Sequence, residues 1–265
     1  VVKEQSSKRR FAEYELKKIK SIIEYYESIA PFLVDYKDDI ALPEEEDLLV
    51  DYSEEERLDP AIHFLTKQEY RKLPSVERNQ MALDRYWKRD KSKWHIGKMY
   101  ERYVGYLFEE EGYTVEYSGI EKRIEDLGRD LVATKENEVV IVQCKNWSKF
   151  KKIYENCIFQ FFGTVFQYRD ENKNKRVNAV FYTTTKLSDL ARRFASELGI
   201  VLKEEFKMNR SYSCIKCNIS RIDGTKIYHL PFDQQYDNVK IERHKGEFYC
   251  TSVKVLAFPL RIVYI

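Results

Sequence analysis

The apolar positions of this chain change period along its length, and the changes mark its elements. Ala12, Leu16, Ile19, Ile23, Tyr26 and Ala30 fall at alternating spacings of three and four. That is one stripe along a helix over residues 8–30, which Pro31 stops. Such a stripe either pairs two subunits as a short coiled coil or packs on its own domain. Thr66 and Glu69 have the spacing of a capping box and open a short helix that runs to Pro74. A second helix, carrying Met81, Leu83 and Trp87, follows from Ser75 to about Lys88. From Lys93 onward helical and strand periods alternate. Ile96, Tyr100, Tyr103, Val104, Leu107 and Phe108 mark an amphipathic helix closed by Gly112. Residues 113–118 alternate as a strand should. Two more strands, 127–134 and 138–145, are joined by turn residues Lys135 to Asn137. The pattern then predicts a helix over 153–168, a buried strand over 177–185, a helix over 188–199 capped by Ser188 and stopped by Gly199, and a last strand over 200–206. Three consecutive strands imply an antiparallel meander, and the later strand–helix–strand implies a parallel crossover. The fold class is therefore α/β (α+β), a mixed β-sheet flanked by helices.

These pieces divide the chain into an N-terminal helical region (1–92), a central α/β domain (93–207) and a small β-rich module (208–265). Acidic clusters at Glu44–Asp47 and Glu54–Glu56 read as a solvated linker. At 265 residues, 43% hydrophobic and 34% charged, the chain can bury a core and is not disordered throughout. No run approaches the roughly 20 apolar residues that span a bilayer, so no membrane role is expected. The polar stretch after Val1 and Val2 is no secretory signal. An odd count of five cysteines points to a reducing cytoplasm. The net charge of +2 names no partner, so a nucleic-acid surface would have to come from local clustering of basic residues.

One strand carries Asp130, and the next ends in Gln143-Cys144-Lys145. Across a tight antiparallel turn these groups meet at one edge of the sheet, and Gln143 and Lys145, two apart, share a face. A carboxylate suits a hard divalent cation, an amide oxygen is a weaker ligand of the same kind, and the Cys144 carbonyl is a third oxygen. Lys145 brings a positive charge for a phosphate in its transition state, or a base near an attacking water. Alone, D…QxK also describes a surface ion pair. What favours chemistry is that apolar runs (Leu131, Val132; Val139 to Val142) put the polar groups at the end of a buried sheet, after a helix carrying Glu101. The basic run Lys149, Lys151 and Lys152 beside Trp147 offers phosphate contacts, which give affinity without sequence choice.

The stretches YERYVGYLFEEEGYTVEYSGI, EDLGRDLVA, EVVIVQCKNW and IFQFFGT, over about residues 94–206, resemble the Mrr-type (type IV) restriction endonucleases of the PD-(D/E)XK superfamily. The resemblance implies a magnesium-dependent deoxyribonuclease, with manganese as a substitute, that cleaves foreign or modified DNA. It makes Asp130 and Gln143 the metal-binding residues, with Gln143 in the place usually held by glutamate. Lys145 becomes the catalytic lysine, Glu101 an acidic group reaching the metal through water, and Gln160 a polar position near the site and a DNA contact. Gln143 for glutamate removes one negative charge from the metal site.

Residues 213–252 resemble a short module appended to some nucleases, with IKCNI, KIYHLP, YD and GEFY in order; residues 253–265 depart from that pattern. Cys214 and Cys217 have CxxC spacing, and His229 and Cys250 would complete a zinc site, against the alternative of buried reduced thiols. The sequence thus points to restriction of foreign DNA, with DNA as substrate, a homodimer through the first helix, and a partner protein of a defence system. A structure-selective repair or recombination nuclease and a non-catalytic DNA-binding scaffold are the alternatives.

Overall fold

The computed structural model describes residues 2–29, 53, 56, 58–118, 128–148 and 150–255. The chain divides into two compact units, Val1–Leu42 with Asp90–Ile96, and Pro43–Arg89 with Gly97–Ile265. In the first, helix α1 (Val2–Ile29) carries Leu16, Ile19, Ile23 and Tyr26 exposed; Ala30 and Pro31 lie outside the described residues, as does most of the acidic stretch after them. Glu56 is described, and it pairs with Arg71 at 2.8 Å.

The second unit begins with a 3₁₀ turn (Pro60–Phe64), helix α2 (Lys67–Lys72) and helix α3 (Ser75–Lys88). The capping box forms as the spacing requires, with Thr66 Oγ1 accepting from the Glu69 amide and Glu69 accepting from the Thr66 amide. Helix α4 (Lys93–Glu110) leads, through Gly112 in the left-handed region (φ 85°), to β1 (Thr114–Glu116). β2 (Leu131–Lys135) and β3 (Glu138–Lys145) follow as a hairpin whose turn places Glu136 at φ 53°. Helix α5 (Glu155–Glu171), β4 (Arg176–Thr183), helix α6 (Asp189–Glu197) and β5 (Ile200–Lys203) complete the core. The five strands lie in sequence order. β1–β2 and β2–β3 pair antiparallel, while β3–β4 and β4–β5 pair parallel. The expected meander and crossover are both present.

Among the boundaries that differ from the periodicity, two have a visible cause. The strand expected to start at residue 127 starts at Leu131, because Gly128 turns through φ 79° and Asp130 makes one ladder bond, to the Val142 carbonyl at 3.0 Å, before regular pairing begins. Ile153, expected in a helix, is drawn out of it by a bridge to Leu187, and the helix starts at Glu155.

Alternation along β3 splits the core. Val139 and Ile141 pack with Ile158, Phe161 and Val165 of α5, whereas Val140, Val142 and Cys144 pack with Tyr100, Val104 and Phe108 of α4. The residues after the core form a three-stranded antiparallel sheet, β6 (Ile215–Ile219), β7 (Lys226–His229) and β8 (Phe248–Cys250), with β6 central. This sheet has no separate apolar interior. Ile215, Cys217, Tyr228, Leu230 and Cys250 share one cluster with Leu83 and Tyr86 of α3 and Tyr103 of α4.

Charged groups are buried at that junction. Arg102 donates to both carboxylate oxygens of Asp237 at 2.8 Å and to the Pro231 carbonyl at 2.8 Å, and lies over the Tyr236 ring. Burial by itself would raise the Asp237 carboxyl, but the paired guanidinium overrides it and holds the group at about 2. Lys216 donates to the carbonyls of Tyr236 (2.9 Å) and Val239 (2.7 Å), and burial pushes its ammonium down to about 8. Glu109 accepts from the hydroxyls of Tyr117 and Tyr249, and burial raises its carboxyl.

Gly105 is fixed by this packing. A Cβ there would come within 2.6 Å of Tyr117 Cζ, and Tyr117 is buried, with Glu109 at its hydroxyl and Lys216 at its ring face. Gly105→Ala is therefore expected to destabilise the fold by about 1–3 kcal/mol, the cost of overpacking, despite alanine's better helix propensity. Chemical denaturation measures this, and an unchanged midpoint would show that Tyr117 can retreat.

Candidate active site

The carboxyl-terminal end of β3 and the chain entering β2 form one edge of the central sheet. Gln143 Nε2 donates to Asp130 Oδ2 at 2.6 Å, and the Cys144 amide donates to the same oxygen at 2.5 Å. Asp130 and Gln143 are both buried. Lys145 is half-buried at the last position of β3, opposite Thr183 of β4. Gln143 and Lys145 share the face toward α5, as alternation dictates, so the sequence-predicted trio is gathered.

Gly128 has a part that the sequence reading missed. A Cβ on it would lie 3.5 Å from Gln143 Oε1 and 3.6 Å from Thr164 Cγ2. The glycine turn thus lays the strand entrance against the Gln143 amide, and α5 reaches the same spot through Thr164, which is buried. Positive φ at residue 128 is what glycine supplies; the space would admit a methyl group. The signal was the glycine two residues before the aspartate.

Glu101 approaches from the other face. It is half-buried on α4, whose neighbouring side chains pack on the Cys144 side of β3. Burial pushes the Cys144 thiol well above its ordinary value, and Asp130 and Glu101 add to the rise while Lys145 opposes it. All three charges therefore act on that one residue. Gln160 is exposed on α5, one turn before Thr164 and on the same stripe. Lys151 and Lys152 are exposed in the segment after β3, with Lys151 Nζ 5.9 Å from the centre of the Trp147 ring. Lys149 lies outside the described residues. Arg192, one of two arginines on α6, pairs with Glu204 and Asp189.

The donor set can be tested against a metal. Among the described residues no three His, Cys, Asp or Glu groups gather as a metal cluster; the ion that the sequence resemblance implies is magnesium. That ion is commonly held by one or two carboxylates, keeping waters and taking substrate oxygens for the rest. Asp130, with Glu101 nearby, meets that requirement. The backbone adds to it: the Val142 carbonyl faces β2 and the Lys145 carbonyl accepts from Thr184 beyond β4, so alternation turns the Cys144 carbonyl toward Asp130's side. Gln143 offers an amide oxygen, although its nitrogen is the atom turned toward Asp130 here. Zinc fits less well. Cys217 Sγ faces Cys250 Sγ at 3.6 Å, His229 Nδ1 is 3.0 Å from Asp233 Oδ2, and all five cysteines, Cys214 included, are free thiols not gathered with His229 into a tetrahedral set.

Comparison with known proteins adds to this geometry. A family model described as restriction endonuclease matches residues 95–210. Among solved structures, one similar chain is a protein of unknown function, AF1548, at 19% identity and a TM-score of 0.33, covering 39% of this chain and 55% of that one. Another is the MspJI restriction endonuclease in complex with a 27-mer oligonucleotide, at 16% identity and a TM-score of 0.29, covering 53% of this chain and 32% of that one. The chain thus spans about half and about a third of those two proteins. No curated protein matches it.

Proposed function

Given that residues 95–210 form a restriction-endonuclease domain, we propose that the protein is a magnesium-dependent DNA endonuclease acting against foreign DNA. The observation that carries this reading is the convergence of Asp130, Gln143 and Lys145 at one sheet edge, with Asp130 Oδ2 tied to Gln143 and to the Cys144 amide. A divalent ion held by Asp130, the Gln143 and Cys144 oxygens and, through water, Glu101 would lower the pKa of a bound water and offset charge on the phosphate. Lys145 supplies a cation on the same face, where it stabilises the phosphate oxygens in the transition state. Lys149, Lys151, Lys152 and Gln160 bind the DNA backbone beside the edge. The exposed stripe of α1 pairs two copies, so that two single-strand cutting sites meet one duplex. In this reading residues 93–207 carry the chemistry, residues 208–265 support it, and within the N-terminal region 1–92 helix α1 assembles the protein. Among the described residues no helix is long and apolar enough to cross a membrane.

Gln143 provides the test. Gln143→Glu places a carboxylate about one hydrogen-bond length from Asp130 Oδ2, and two like charges that close destabilise the fold unless a cation joins them. The variant is expected to melt below the parent without metal and to gain more in Tm on adding magnesium, while retaining cleavage. Gln143→Leu should gain nothing from magnesium and lose cleavage of plasmid DNA. A Tm for Gln143→Glu that ignores magnesium would remove this edge from consideration as the metal site.

A further inference from the structure

Directly after Lys145 the chain carries three large aromatic side chains turned outward: Trp147 is 38%, Phe150 86% and Tyr154 57% exposed. Exposed aromatic rings are ordinarily found on mobile backbone or singly. These sit on a backbone clamped at both ends. The Trp147 amide donates to Thr184 Oγ1 at 3.0 Å, and that hydroxyl donates back to the Trp147 carbonyl at 2.8 Å. The Lys151 carbonyl accepts from Thr185 Oγ1, and the Lys151 amide donates to the Ser148 carbonyl at 2.9 Å. Ile153 is bound on both sides, its amide to the Lys186 carbonyl (3.0 Å) and its carbonyl to the Ser188 amide (2.9 Å). Apart from the turn bond between Lys151 and Ser148, the anchors come from the segment after β4, the strand paired with β3. Trp147 on one side of Phe150, and Lys151 and Ile153 on the other, are therefore held against that segment.

We propose that Phe150 stacks on a DNA base next to the cleaved phosphate, with Lys151 and Lys152 neutralising the flanking phosphates, so that cutting involves a locally unstacked duplex; the proposal rests on the nuclease reading. Three features of the loop select a nucleic-acid base over an apolar protein surface. Two exposed lysines directly after an apolar ring suit a ligand with π-faces and a charged backbone. The ring follows Lys145 by five residues, at most about 17 Å of chain, so both can reach one short stretch of DNA. The clamped backbone reduces the ordering cost when the ring meets its partner.

The experiment uses the full chain with short DNA duplexes carrying 2-aminopurine at successive positions. Each is prepared fully paired and with a mismatched stretch around the label. Parent and Phe150→Ala are compared for cleavage, and the same pair in a Lys145→Ala background for fluorescence on binding. The melting temperatures of parent and Phe150→Ala are compared alongside, so that a rate difference can be separated from a loss of fold. Phe150→Ala is expected to cut the paired duplex about 10- to 100-fold more slowly, the size of a lost base stack. That deficit should shrink on the mismatched duplex, where the base is already unstacked. The parent background should brighten 2-aminopurine at one or two positions, and the Phe150→Ala background should not. Equal rates for parent and variant on both substrates, or an equal loss on both with no fluorescence difference, would overturn the proposal. If the parent neither binds nor cleaves any duplex, the nuclease reading falls and this proposal with it.

Discussion

Replacing Asp130 by alanine is expected to lower DNA cleavage by roughly 10²–10⁴-fold, as is replacing Lys145, the range seen when one group that acts on the reacting atoms is removed. The two variants should differ in a second measurement. Asp130 holds the Gln143 amide and the Cys144 amide through one oxygen, so Asp130→Ala leaves two donors without their acceptor. A buried donor left unpaired costs about 1–3 kcal/mol, and the melting temperature should fall with the activity. Asp130→Asn retains an acceptor oxygen and should recover much of the stability while remaining inactive. Lys145 is half-buried at a strand end, and Lys145→Ala should leave stability close to the parent. Plasmid nicking over time together with thermal melts reads both effects. Parent-level cleavage by Asp130→Asn or Lys145→Ala would dissociate this edge from the chemistry.

The second large effect concerns the residues after the core. A chain ending at Lys207 is expected to be insoluble or to melt without a cooperative transition. Its remaining part would expose Leu83, Tyr86 and Tyr103, which pack with Ile215, Cys217, Tyr228 and Leu230. It would also leave the Arg102 guanidinium, 8% exposed, without Asp237. Removing one member of a buried pair costs about 3–5 kcal/mol, comparable with the net stability of many domains. Asp237→Ala in the full chain removes the same carboxylate, from Lys98 as well as from Arg102. It should destabilise strongly, and Arg102→Met with Asp237→Leu should restore part of the loss, since two apolar groups need no partner. A soluble Lys207-terminated chain with a cooperative melt would show that the central sheet stands alone, as the sequence pattern suggests.

What the sequence settled by itself is local. Thr66 and Glu69 specify their capping box, because both partners lie within one helical turn. Residues 138–145 form the strand that their apolar run predicts, and the turn at Lys135 to Asn137 fixes the pairing of β2 with β3. Two-residue spacing put Gln143 and Lys145 on one face before any packing was known. Tertiary structure decided what depends on distant partners. Asp130 stands just outside its strand because Gly128 turns there against Gln143, a contact across the hairpin. Glu101 lies on α4, whose neighbouring residues pack on the Cys144 face of β3, a placement that helical periodicity cannot assign to one end of a sheet. Lys216 is buried, because the carbonyls of Tyr236 and Val239, about twenty residues away, satisfy its ammonium. The β-rich residues after Phe206 look separate because their strands pair only with one another. Their apolar faces close on α3 and α4 instead, since three short strands bury too little apolar surface alone.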